Sequence, residues 1–103
     1  RNELMKIEEN VCFDILKYLQ EFYPHPLMTD GYTKLLRTYG EDKLDGHILY
    51  MYQKGLISSQ VQYLYIDEDG AQIDNPKRGE GRWLIDTRQT FITATGLDWL
   101  NKQ

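Results

Sequence analysis

Apolar side chains recur every three or four residues over the first part of the chain, which is the spacing of one face of an α-helix. This series predicts a first helix from Leu4 to Tyr23. Its members are Leu4, Ile7, Val11, Ile15, Leu19 and Phe22. Cys12 widens the apolar stripe. We interpret it as a small core residue and not as a nucleophile, because the sequence pairs no general base with its thiol.

A second, shorter helix is expected after the prolines at 24 and 26, which end the first helix because each lacks a backbone donor. It is predicted to run from Gly31 to Tyr39, with Thr29 or Asp30 as its N-cap. Its buried side is expected to consist of Tyr32, Leu35 and Leu36.

A third helix is predicted from about Asp42 to Lys54, and it follows the second after a tight turn at Gly40. Gly55 is expected to end it, with Leu56 folding back on the last turn as in a Schellman cap. Its buried side is expected to include Leu44, Ile48 and Leu49.

The hydrophobic period then changes from helical spacing to two, which is typical of a β-strand. A strand is predicted over 60–66, turn residues fill 67–81, and a returning strand is predicted from Trp83 to Thr93. Thr93 is expected to cap a closing helix in which Leu97 and Leu100 face the core and Trp99 lies along the edge.

The composition narrows the class of protein. A chain of 103 residues with 41% hydrophobic content indicates one domain, residues 1–103, with a single core. One cysteine cannot form an internal disulfide, and no apolar run approaches the length of a membrane span, so a reduced, cytoplasmic protein is expected. No nucleophile, base and acid stand in a recognisable order and no metal-ligand spacing occurs, so we predict a protein that is not an enzyme and has no cofactor or metal.

The order of elements, with Lys54-Gly55-Leu56-Ile57 before the hairpin and Ile92-Thr93-Ala94-Thr95-Gly96-Leu97-Asp98-Trp99-Leu100 after it, resembles small bacterial and prophage winged-helix proteins. The general layout is similar to PadR-like and MarR-like regulators, and more closely to uncharacterised small winged-helix domains. The resemblance implies an α+β winged helix-turn-helix fold with three helices, a two-stranded wing and a C-terminal helix. It also implies a transcription regulator that binds double-stranded DNA as a homodimer.

In DNA-binding members of this fold, the third helix enters the major groove and the wing contacts the backbone or minor groove. The resemblance therefore assigns candidate roles to polar residues of the third helix, to bases of the wing, and to bases of the second helix that could hold phosphate. These candidates are Lys43, Gly46, His47, Tyr50, Gln53 and Lys54 in the third helix, Lys77, Arg78, Arg82 and Arg88 in the wing region, and Lys34 and Arg37 in the second helix.

The charge distribution favours a different class of partner. The chain has a net charge of −4, and the third helix opens with Glu41, Asp42 and Asp45 and contains no arginine. Carboxylates there would repel phosphate. The alternative is a winged-helix module for protein binding, an adaptor or an inhibitor with an acidic third helix. The protein-binding alternative is favoured if the three carboxylates share a face with His47 and Gln53.

Aromatic residues are abundant, with eight tyrosines and two tryptophans in the chain. Tyrosine and tryptophan are enriched in protein interfaces, so some of these side chains are expected to form a partner surface. The predicted homodimer would use the first and last helices, with Trp99 at the contact. The other interpretation is that the tyrosines are half-buried on the sheet.

Overall fold

The computed structural model describes residues 6–103, which form an α+β arrangement of four helices and two small antiparallel sheets. In chain order the elements are α1 (Glu9–Glu21), α2 (Met28–Tyr39), α3 (Glu41–Gln53), β1 (Ile57–Ser58), β2 (Val61–Leu64), β3 (Arg82–Ile85), a 3-10 turn (Thr87–Gln89), β4 (Phe91–Ile92) and α4 (Ala94–Asn101).

Helix α1 is the centre of the core and packs against α3, α4 and β4. Val11, Ile15 and Leu19 are fully buried, so the predicted helical stripe is confirmed over these turns. The ends of the stripe differ from the prediction, since Ile7 precedes the helix and Phe22 is about half exposed. Leu4, where the helix was predicted to begin, lies outside the described residues.

Helix α2 begins earlier than predicted, at Met28, and no side chain caps it. Thr29 and Asp30 lie inside the first turn, so the predicted N-cap was wrong. The chain is instead fixed at this point by Leu27, which is buried and whose backbone N–H donates to the carbonyl of Thr90 at 2.8 Å. The burial of Leu27 and its backbone hydrogen bond fix the chain where α2 begins, without a side-chain cap.

Helix α3 ends as predicted at a glycine in the left-handed region, since Gly55 has φ +79°. The N–H of Leu56 donates to the carbonyl of Met51 at 2.9 Å and that of Gly55 to the carbonyl of Tyr52 at 3.1 Å. These two bonds are the Schellman pattern. The buried side chain of Leu56 then directs the chain into β1.

The returning strand is not continuous, contrary to the prediction. β2 pairs with β3, whereas β1 pairs with β4, and the 3-10 turn separates β3 from β4. Asp86 organises this break, because its side chain accepts from the N–H of Arg88 and its carbonyl accepts from the hydroxyl of Thr90. The turn moves the chain from one sheet to the other.

Residues 65–81 connect β2 to β3, and tight turns give the connection a defined course. The side chain of Asp67 accepts hydrogen bonds from the backbone N–H groups of Asp69 and Ala71, both at 2.9 Å. The hydroxyl of Tyr63 donates to the carbonyl of Glu80 at 2.6 Å and so ties the end of the connection to β2. We call β2, β3 and this connection the hairpin.

Helix α4 closes the fold and is capped as predicted, because the hydroxyl of Thr93 accepts from the N–H of Gly96 at 3.0 Å. Leu100 is buried, and Leu97 and Trp99 are partly buried against the same core. The helix approaches the α3–β1 junction closely at Gly96. A Cβ at that position would lie 2.2 Å from the carbonyl oxygen of Leu56 and 2.8 Å from Cγ1 of Ile92.

We expect Gly96→Ala to destabilise the protein by about 1–3 kcal/mol, because the added methyl group collides with backbone that cannot move freely. Helix propensity alone would act in the opposite direction by about 1 kcal/mol. The free energy of unfolding, measured by chemical denaturation, checks this. The exposed neighbour Thr95→Ala is the control and should change stability by less than about 0.5 kcal/mol. Equal or higher stability of Gly96→Ala would contradict the close approach.

Candidate interaction face of the third helix and the hairpin

The rotation of α3 about its axis decides which of its side chains reach solvent. Leu44, Ile48 and Met51 are fully buried on the inner side. The opposite side carries Asp42, Gly46, Leu49 and Gln53, which we call the outer stripe, at the i, i+4, i+7 and i+11 spacing of one helix face. Leu49 was predicted to be buried, but it is only partly covered within this stripe.

His47 is buried, so its predicted place on a groove-facing surface was wrong. The backbone N–H of Glu8 donates to Nε2 at 2.9 Å, and Nδ1 lies 2.7 Å from the carbonyl of Lys43. Because Nε2 accepts, Nδ1 carries the proton and donates to that carbonyl. His47 thus joins α3 to the segment before α1, and it is a polar core residue.

Asp45 is also turned inward, contrary to the expectation that it would face phosphate. It is 7% exposed, and its Oδ1 accepts from the hydroxyl of Tyr32 at 2.6 Å. Burial raises the pKa of Asp45, the bond from Tyr32 lowers it, and the charges of Glu41 and Asp42 raise it further. Burial and this hydrogen bond raise the pKa of Tyr32 in turn.

Of the remaining α3 candidates, Gly46 and Gln53 belong to the outer stripe, and Lys43, Tyr50 and Lys54 follow one edge of it at the i, i+7 and i+11 spacing. Lys43 pairs with Glu8 at 2.8 Å, and this hydrogen bond lowers the pKa of the glutamate. Tyr50 is partly buried against the core, and Nζ of Lys54 lies 5.8 Å from the centre of its ring. Of the candidates predicted on α3, Gln53 and Lys54 are exposed.

Aromatic rings cluster on one side of the hairpin. Tyr63 and Trp83 are directly opposite one another in the β2–β3 register, and their ring centres are 5.0 Å apart at 73°. Tyr65 adds a second edge contact to Tyr63 at 5.2 Å. These tilted contacts are the favoured geometry for aromatic pairs, so the cluster stiffens this part of the hairpin.

The start of α3 and the hairpin together enclose an acidic groove of about 570 Å³. The carboxylates that line it come from α3 and from both turns of the hairpin: Glu41, Asp42, Asp67, Glu68, Asp69 and Glu80. Arg82 is the one basic residue among the described residues that line it. This face therefore attracts cations and repels phosphate.

A smaller space adjoins the groove, which we call the aromatic cleft, with a volume of about 260 Å³. Asp45 lines it beside Glu41 and Asp42, and the rings of Tyr63 and Trp83 line its hairpin side. Gly81, on the same side, approaches Tyr63 so closely that a Cβ would lie 2.8 Å from the ring and 2.7 Å from the carbonyl of Leu64. The cleft combines negative charge with flat apolar walls.

The predicted basic residues do not converge on one surface. Lys77, Arg78 and Arg82 are exposed on the hairpin, whereas Nζ of Lys34 lies 5.5 Å from the ring centre of Tyr18 on α1. Exposed Arg37 stands in the last turn of α2, and Arg88 lies 3.6 Å from Asp86. Residues 65–82 also carry five carboxylates against three bases, so the hairpin is acidic overall.

Trp99, predicted at a dimer contact, packs partly against the core and lines a second cavity of about 440 Å³. Tyr50, Lys54 and Cys12 line the same cavity. Burial raises the pKa of the Cys12 thiol, which agrees with its interpretation as a core residue. The homodimer itself stays a prediction.

The sequence reasoning missed the acidic turn of the hairpin and the cross-strand pair of rings. Asp67, Glu68 and Asp69 were interpreted only as turn residues, although three successive carboxylates indicate charge as well. The opposition of Tyr63 and Trp83 could not be predicted, since the strand register depends on the length and shape of the connection.

No family model, curated protein or solved structure matches this chain. Within residues 6–103, no helix has the length and apolar character to cross a membrane. The same residues contain no group of three or more His, Cys, Asp or Glu side chains placed to hold a metal ion. The candidate face is therefore defined by its own geometry and charge.

We expect Asp45→Asn to gain stability relative to the native chain as pH rises from about 4 to 7. The folded-state pKa of Asp45 lies above its ordinary value of 3.8. The native chain therefore loses stability as pH rises through that folded-state pKa, because the buried carboxylate must ionise, whereas asparagine does not. Thermal unfolding of both proteins across this range measures the difference.

Tyr32→Phe provides the control for this experiment. It removes the hydrogen bond that lowers the pKa of Asp45, so its loss of stability with rising pH should be steeper than that of the native chain. Adding Asp45→Asn to it should abolish the extra loss. A stability difference between Asp45→Asn and the native chain that stays constant over the range would contradict burial of the ionised group.

Proposed function

We propose that this chain is a winged-helix-type domain that binds a protein partner through the outer stripe of α3 and the hairpin, and does not read duplex DNA. The acidic groove is the main observation that supports this proposal. It lies where a DNA-reading winged helix would receive the phosphate backbone.

The order and pairing of the elements support the winged-helix assignment. Helices α2 and α3 meet at Gly40, which has φ +83°, and α3 leads directly into β1. The hairpin follows, and β4 returns to pair with β1 before α4. In this layout α3 and the hairpin border one common face, which is the surface that winged-helix domains present to their partners.

The charge of this face opposes DNA binding. Base contacts in helix-turn-helix proteins come mainly from the first residues of the third helix, and here those residues are Glu41 and Asp42. Both lie against further carboxylates of the hairpin. A phosphate brought within the roughly 8 Å screening length of physiological salt would meet several negative charges at once.

Exposed apolar side chains of α3 and of both sides of the hairpin support protein binding. Leu84 is 54% exposed, Tyr65 is 50% exposed and Tyr52 is 39% exposed. Tyr52 and Leu84 line one depression of about 490 Å³ together with Val61. Exposed tyrosines are enriched in protein interfaces and among their hot spots.

DNA binding is the second candidate function, and the basic residues of the hairpin favour it. Lys77 and Arg78 are exposed on the connection, and Arg82 is exposed at the start of β3. Three phosphate contacts would give weak binding with a salt slope of nearly three. Such binding would be insensitive to sequence.

Photo-crosslinking tests the proposed function. The crosslinking amino acid p-benzoylphenylalanine, placed at Gln53 on the outer stripe, should join the chain to a discrete protein in an extract of the organism of origin. The same group at Lys17, which is exposed on α1, is the matched control and should not capture that protein. Absence of a crosslink specific to Gln53 would overturn protein binding by this face.

Retention of the protein on a random pool of duplex DNA tests DNA binding, the second candidate function. We expect no retention at physiological salt. Retention at physiological salt that falls steeply as the salt concentration is raised would establish DNA binding instead, and enrichment of one sequence would show base contacts in addition. In that case, replacement of Lys77, Arg78 and Arg82 by alanine should flatten the salt dependence.

A further inference from the structure

We propose that the aromatic cleft receives an arginine side chain of the protein partner, with the guanidinium group between the carboxylates of α3 and the rings of the hairpin. This inference rests on the proposed function, because it names the chemical group that the α3–hairpin face would recognise.

One oxygen of Asp45 is available for such a contact. The residue is 7% exposed and its Oδ1 is occupied by Tyr32, whereas Oδ2 has no hydrogen-bond partner among residues 6–103. No fully buried polar side-chain atom in these residues lacks a partner, so Oδ2 is still open to solvent. A nearly buried carboxylate with a free oxygen is a strong acceptor for a cation, because little water competes for it.

The surrounding charges are not balanced within the described part of the chain. Glu41 and Asp42 stand beside Asp45 in the cleft, and their charges contribute to the raised pKa of Asp45. Arg82 also lines the cleft, yet within residues 6–103 it forms no ion pair with a carboxylate. A cation from outside would relieve the repulsion among the three acids.

The rings select the kind of cation. The planes of Tyr63 and Trp83 stand at 73° to one another and both rings line the cleft, so a flat cation can lie on the electron-rich face of one ring. Guanidinium is planar, weakly hydrated and stacks on aromatic faces, whereas an ammonium group is compact and strongly hydrated. The combination of flat walls with carboxylate acceptors therefore fits arginine better than lysine.

The size and spacing of the cleft favour a single side chain over a small molecule or a metal ion. Its volume of about 260 Å³ is below the ~300–1,000 Å³ typical of small-molecule sites, which suits one side chain of a larger partner. Its carboxylates are not placed to hold a metal ion, since no such group occurs in the described residues. An extended cation can still bridge acceptors that a single ion cannot reach.

The experiment uses the full chain and a defined probe, the peptide acetyl-Gly-Arg-Gly-amide, observed by NMR of ¹⁵N-labelled protein. The indole N–H of Trp83 reports on the cleft, and that of Trp99, the other tryptophan, is an internal control. We expect a saturable shift of the Trp83 signal with the arginine peptide. Binding should be at least threefold weaker with the lysine peptide and undetectable with the citrulline peptide, which is neutral.

Two variants separate a role of Asp45 in binding from a role in folding. Asp45→Asn removes the charge and should weaken binding of the arginine peptide at least tenfold. Tyr32→Phe removes the hydrogen bond to Oδ1 but leaves Oδ2 and the rings in place, so it should bind within about threefold of the native chain. Equal responses to arginine, lysine and citrulline peptides, or unchanged binding by Asp45→Asn, would overturn the assignment.

The peptide test of the cleft and the crosslinking test of the proposed function can fail independently of each other. If Gln53 captures a protein but the arginine peptide does not shift Trp83, the cleft assignment alone fails. If the arginine peptide binds the cleft but Gln53 captures no protein, the protein-binding function fails and the cleft remains a guanidinium site.

Discussion

The rotation of α3 about its own axis determines what the rest of the surface can do. Leu44, Ile48 and Met51 are fully buried, and each such side chain contributes roughly 1.5–3 kcal/mol, so apolar burial holds the helix in place. Hydrogen bonds then select one rotational setting, because His47 must meet Glu8 and Asp45 must meet Tyr32. Loss of either hydrogen bond would leave a buried polar group without a partner, which costs about 1–3 kcal/mol. This setting leaves the outer stripe on the outer side of the helix and places the acidic first turn beside the hairpin.

Much of the fold could be predicted from local patterns. The stripe of Val11, Ile15 and Leu19, the cap at Gly55 and the cap at Thr93 are short-range signals, and the structure confirms them. The prediction of one continuous returning strand was wrong, because a 3-10 turn after Asp86 interrupts it. The carbonyl of Asp86 accepts a hydrogen bond from the hydroxyl of Thr90 across this turn. The predicted start of α2 was wrong because the helix begins at Met28, next to the buried Leu27, and has no side-chain cap.

The candidate site was less predictable, because its polar residues depend on distant partners. His47 follows the spacing of Tyr50 and Gln53, but its hydrogen bond to the segment before α1 places it in the core. Asp45 was expected to face phosphate together with Glu41 and Asp42, but it is buried and accepts a hydrogen bond from Tyr32, which lies on another helix. Periodicity describes one helix at a time, whereas the groove is formed by residues that are far apart in the chain.

Because α3 is fixed in this setting, charge on its first turn should govern what the face can bind. The most direct test is the affinity for duplex DNA at low salt of the native chain and of a variant carrying Glu41→Lys and Asp42→Lys, both confirmed to be folded. The native chain should show no measurable binding, and the variant should bind weakly and release DNA at physiological salt. Binding by the native chain at low salt, or no gain from the reversed charges, would contradict the account.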